Sequence, residues 1–132
     1  MEITVTQEQG RIPVTVLHVA GNTDSVSAEI LQKKAMEVID GGARYLFFDL
    51  AGVPYMSSAG LRVFQEVFNK LRAIAPDESD KDMHRHIADG SYQLANLKIV
   101  NPTPEVMEVL KMSGFDMLVS IEKDLKKALA SI

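Results

Sequence analysis

The chain has 132 residues, 46% of them apolar and 24% charged, with a net charge of -4 and no cysteine. That length suits one soluble domain able to bury a core without staples. The missing cysteines rule out a thiol nucleophile and a zinc-thiolate site, and the acidic balance argues against binding a nucleic-acid backbone. The opening MEITVTQEQG has neither the basic nor the apolar region of a signal peptide, and no apolar run is long enough to span a bilayer.

Residues 2–8 alternate, with Ile3 and Val5 set against Glu2, Thr4 and Thr6, as in a half-buried strand. A turn at Gly10-Arg11 leads into a second strand, Pro13 to Ala20, so the two make a hairpin. His18 reads as a packed or edge histidine, because no second metal ligand stands near it at a suitable spacing. The polar loop Gly21–Ser25 feeds a helix for which Asp24, Ser25 and Ser27 are all acceptable caps. Leu31, Ala35, Val38 and Ile39 form its inner side, and Gly41-Gly42 stops it.

The stretch from Arg44 to Arg72 organises the rest. Tyr45–Phe48 is a continuous apolar run, the pattern of a central strand covered on both faces, and Ala51–Pro54 breaks it. Apolar residues resume at Leu61, Phe64, Val67, Phe68, Leu71 and Ile74, at helical spacing. The strand from Pro13 to Ala20, the helix that Gly41-Gly42 stops and the strand from Arg44 to Asp49 make a βαβ unit. Ser57 and Ser58 therefore lie where the chain turns into a helix. Gly60 lies in the first turn, where glycine is unfavourable, and this implies that something approaches closely.

Residues 75–91 are polar and read as a flexible loop or insertion. His84 and His86, with Asp80 and Asp82, fall inside it and are assigned to that solvated loop, not to a metal site. Leu94, Leu97, Ile99 and Val100 form a third core strand. A helix follows, capped by Thr103, started by Pro104 and closed by Gly114, with Val106, Val109, Leu110 and Met112 inward. Phe115–Ile121 is a candidate strand, and a last helix runs from Glu122 with Ile121, Leu125, Ala128, Leu129 and Ile132 as its docking stripe. The expected architecture is α/β: one domain over 1–132, a mixed sheet of four to five strands packed against about four helices.

No phosphate-binding glycine loop and no G-x-S-x-G elbow is present, so the familiar enzyme signatures fail. What the serine pair offers is a hydroxyl at a helix N-terminus, where free N–H groups and the helix dipole favour a negative group. A phosphate on Ser57 or Ser58 would be tolerated there while changing what can dock. Plain helix capping by either serine is the competing role, and the two are compatible.

With these residues in hand, the chain resembles the STAS domain family of bacterial anti-sigma factor antagonists. The resemblance rests on Gly21-x-x-Asp24, on GARYLFFDLAGVPYMSSAGLRVF, on KIVNPTPEVMEVLKMSGF and on the EKDLKKAL end, with SSAGLR the specific part. It implies a cytoplasmic binding module, not an enzyme, with no cofactor. Its unmodified form would bind an anti-sigma factor that is also a GHKL-type serine kinase, releasing the sigma factor. Phosphorylation would end that binding, and a PP2C-type phosphatase would restore it. Alignment on Gly60-Leu61 puts the phosphoacceptor at Ser58, with Ser57 as the alternative. Asn22, Thr23, Asp24, Ser57, Ala59, Leu61 and Arg62 are carried over as the partner-binding face. No membrane insertion and no direct nucleic-acid contact is implied, and a homodimer is left open. The rival readings are an unphosphorylated STAS subunit of a transporter or signalling assembly, and a small serine hydrolase using Ser58.

Overall fold

A computed structural model describes residues 1–74 and 94–131. The polar segment at 75–91, with its histidines, lies outside the described residues, as does Ile132. Among the described residues five strands form one sheet in chain order: β1 (Glu2–Gln9), β2 (Pro13–Ala20), β3 (Leu46–Gly52), β4 (Leu97–Val100) and β5 (Ser120–Glu122). β1 and β2 are the expected hairpin, antiparallel with Glu2 opposite Ala20; every later pairing is parallel. Among the described residues the α-helices are α1 (Ser25–Asp40), α2 (Ser58–Ile74), α3 (Pro104–Ser113) and α4 (Leu125–Ala130). Among the described residues no helix is long and apolar enough to cross a membrane.

Strand alternation divides β3 between two cores. Leu46, Phe48 and Leu50 point into the larger core beneath α1, α2 and α3, whereas Phe47 joins Val14, Val16, Val100 and Ala128 beneath α4. That explains the unbroken apolar run, because both faces of β3 are covered. In the larger core Phe64 of α2 meets the edge of Phe48 at a centroid distance of 4.8 Å and stacks on Phe115 at 6.3 Å. α1 and α2 lie side by side, clamped at their rim by Gln32 Nε2 donating to Glu66 (2.9 Å) and by the Lys70–Asp40 ion pair (2.9 Å). His18 is structural, as expected. Its Nδ1 meets Asp49 of β3 at 2.7 Å and its Nε2 meets Thr6 of β1 at 2.9 Å, which ties three strands together.

Four details depart from the sequence reading. Phe115–Ile121 is not one strand: Gly114 turns left-handed (φ 78°), Phe115–Met117 forms a 3-10 turn, and only Ser120–Glu122 pairs with β4. Phe115 and Val119 are both buried, a helical spacing that alternation could not have shown. The last helix starts at Leu125, not Glu122, because Asp124 caps it by accepting the Lys127 N–H (2.8 Å) and Ile121 and Glu122 belong to β5. Met112 is 81% exposed, since α3 lays only Val106 and Leu110 fully on the sheet. On α2 the buried face runs through Gly60, Val63, Phe64, Val67, Phe68 and Leu71, while Ile74 is exposed.

Phe64 joins sheet, α2 and the Gly114 turn in one aromatic cluster. Phe64→Ala is expected to destabilise the fold by about 3–5 kcal/mol, as cavity-forming core truncations do, measured by denaturant unfolding.

Candidate functional site

The site forms at the carboxyl ends of β2 and β3, where two loops meet and where open α/β sheets characteristically bind their partners. The loops are zipped by main-chain bonds. Gly21 N–H donates to the Gly52 carbonyl (2.8 Å), Thr23 N–H to Tyr55 (3.0 Å), and Ser57 N–H to Thr23 (2.9 Å). The last two frame an isolated parallel bridge between Thr23 and Met56. The Thr23 side chain is wholly buried and its hydroxyl donates to the Tyr55 carbonyl (3.3 Å). Thr23 is thus the floor of the face and offers a partner no surface.

Gly60 is where α2 rests on that floor. A Cβ there would lie 2.7 Å from Thr23 Oγ1 and 2.9 Å from Met56 Cγ, closer than side chains tolerate. The close approach implied by a first-turn glycine is therefore real, and its partners are Thr23 of the β2–α1 loop and Met56 of the β3–α2 loop.

The two serines have different duties. Ser57 precedes the helix and its hydroxyl accepts the Gly60 N–H (3.3 Å), while its carbonyl accepts the Leu61 N–H (3.1 Å). This is N-cap geometry, and Ser57 is half-buried. Ser58 is the first helical residue, is exposed, and its hydroxyl has no partner among the described residues. The N–H groups of Ser58 and Ala59 are likewise without a carbonyl partner among the described residues, as the first turn of a helix requires.

The residues carried over as the partner-binding face differ in exposure. Asn22, Asp24 and Arg62 are exposed, and Ala59 and Leu61 are half-buried against the larger core. Arg62 stands one turn beyond Ser58 on the same side of α2, and Asp24 caps α1 across the zipped loops. Asp24 accepts N–H bonds from Val26 (3.0 Å) and Ser27 (2.9 Å), and the Ser27 hydroxyl returns to the Asp24 N–H (2.8 Å) in a capping box. The Ser27 N–H bond, foremost among these, holds the Asp24 carboxyl below the ordinary aspartate range. Sequence reasoning passed over two exposed apolar residues at this end, Tyr55 and Val26. The cue was available for Tyr55, an aromatic in a loop between a strand and a helix.

The family model for the STAS domain matches residues 4–75. The chain belongs to the STAS domain family. Along 131 residues it is 28% identical to BtrV of Bordetella bronchiseptica, by name an anti-sigma factor antagonist, covering 99% of this chain and 94% of that protein. The fold is similar to that of an anti-sigma factor antagonist from Mycobacterium paratuberculosis, with a TM-score of 0.67, 21% identity, and 97% and 92% of the two chains covered. It is also similar to the Bacillus cell fate determinant SpoIIAA in its phosphorylated form, with a TM-score of 0.65, 15% identity, and 97% and 96% coverage. The matched STAS region contains both zipped loops and the whole of α2.

Gly60→Ala forces either α2 or the Thr23 loop to move, and a loss of about 1–3 kcal/mol, the range for overpacking, is expected in chemical denaturation. Asp24 provides a test by pH. Its carboxyl is depressed in the fold, so its capping contribution is present above the unfolded aspartate pKa and is lost as pH falls through the lower folded value. Amide exchange at Val26 and Ser27 should accelerate over that acid window in the native protein, and Asp24→Ala should abolish the pH dependence.

Proposed function

We propose that this protein is an anti-sigma factor antagonist operated by phosphorylation of Ser58. The observation that carries the reading is the contrast at the start of α2. Ser57 commits its hydroxyl to the cap, whereas Ser58 is exposed, with a hydroxyl that has no partner among the described residues, at the electropositive end of the helix. The family membership and the naming of BtrV support the same reading.

In its unmodified form the face around Ser58 docks an anti-sigma factor of the GHKL kinase type, which then releases its sigma factor. Asn22, Asp24, Ala59, Leu61 and Arg62 supply the contacts, and Thr23 and Ser57 set their positions. In the kinase complex the Ser58 Oγ attacks the γ-phosphorus of ATP, its proton passes to a base of the kinase, and ADP departs. The new phosphate carries about -1.5 to -2 charges. The unpaired N–H groups of the first turn and Arg62, four residues on, are positioned to receive it. The domain keeps its fold while the docking face turns anionic. A PP2C-type phosphatase reverses the step, and the cycle runs in the cytoplasm.

With the cognate kinase and ATP, intact-mass analysis should show one added phosphate on the unaltered protein and on Ser57→Ala, and none on Ser58→Ala. Equal incorporation by Ser58→Ala would refute the assignment. Ser58→Asp should weaken kinase binding by about tenfold or more, corresponding to ~1.4 kcal/mol or above, in a titration by calorimetry.

A further inference from the structure

All four residues of β4 are buried, and Lys98 is the exception to their apolar character, with only 6% of its surface exposed. Strand alternation turns it toward α4, away from α1 and α2, beside Phe47 and Val100. Its Nζ donates to Ser131 Oγ, and the Ser131 hydroxyl is itself donated to the Ala128 carbonyl (2.9 Å). An ammonium carries three donors, so two remain unanswered among the described residues. Glu122, on the neighbouring strand, acts on Lys98 electrostatically, but no carboxylate lies within ion-pair distance among the described residues. The Glu122 carboxylate is engaged by the Ser120 hydroxyl (2.8 Å).

These groups border a cavity of about 400 Å³, within the usual size range of small-molecule sites. Its remaining walls are Tyr45, Leu94 and Ala95. Burying a cation against apolar walls is expensive, and burial indeed pushes the Lys98 ammonium below the ordinary lysine range, with Glu122 opposing the shift. A leucine or valine here would pack at no such cost. Lys98 lines a cavity of ligand size with two donors unanswered among the described residues, and that combination points to an occupant.

We propose that this cleft binds a small monocarboxylate, whose oxygens accept the two Lys98 protons left unanswered among the described residues while its apolar body lies against Ala95 and Tyr45. One anionic charge matches the single buried cation. A dianion would direct its second charge at Glu122, so sulfate and phosphate are disfavoured. The site lies on the opposite face of the sheet from α2 and is independent of Ser58 chemistry.

The test titrates the whole unphosphorylated protein with propionate, butyrate and benzoate, and separately with sulfate at equal ionic strength. The readout is the Lys98 side-chain NMR resonances. A carboxylate should give a saturable shift and raise the Lys98 pKa, because the bound anion favours the charged form. Lys98→Met should weaken binding about tenfold or more, as loss of a charge-assisted pair does. Glu122→Gln should keep the carboxylate and admit sulfate. No saturable response to any carboxylate at millimolar concentration would overturn the proposal. So would equal responses to carboxylate and sulfate in the unaltered protein, or undiminished binding, read from backbone amides, in folded Lys98→Met.

Discussion

The structure depends most on the main-chain zip at Thr23. One residue receives the Ser57 N–H on its carbonyl and gives its own N–H to Tyr55, so two loops more than thirty residues apart in sequence become one surface. Its buried side chain then fills the space that a side chain at position 60 would need. The start of α2 is thereby fixed in height and direction relative to β2 and β3. Exposure of Ser58 follows from that placement, as does the inward turn of Ser57. A helix start free to tilt would leave neither hydroxyl with a defined role.

The packing beneath it serves the same end. Phe64 and Phe68 anchor α2 to Phe48 and Phe115, and the Lys70–Asp40 and Gln32–Glu66 contacts hold α1 and α2 in register. The exposed ion pair adds only about 0.2–1 kcal/mol; the aromatic cluster carries most of the attachment. In the function proposed above, a switch built here would work by changing the charge and shape of a docking face, with the domain as a rigid support.

Much of this was legible in the sequence, for reasons that can be named. The hairpin, the doubly covered β3, the caps at Thr103 and Gly114, and the helix after Ser57-Ser58 all rest on local patterns, and local patterns survive in one dimension. Gly60 announced a close contact by breaking a helix rule, but the identity of the contact was hidden, because Thr23 arrives through a long-range pairing of loops. The division of labour between Ser57 and Ser58 was hidden as well, since both types cap helices and one residue of register decides which does. Phe115–Ile121 was misread because a left-handed glycine reversed the chain, and apolar residues at turn spacing resemble a short strand. Lys98 gave no local signal of its surroundings. A lysine between Leu97 and Ile99 looks like the solvent face of an edge, and only the docking of α4 over that face buries it.

The central claim is that the domain carries a negative group at the start of α2 on an unchanged scaffold. Backbone amide spectra of the protein phosphorylated at Ser58, set beside those of the unmodified protein, test it most directly. The account predicts that shifts cluster at 57–62 and in the Thr23 loop, with the exchange protection of Thr23 and Ser57 retained. Loss of that protection, or shifts spread through the Phe64 cluster, would mean that the zip opens, and the rigid-support account would be wrong.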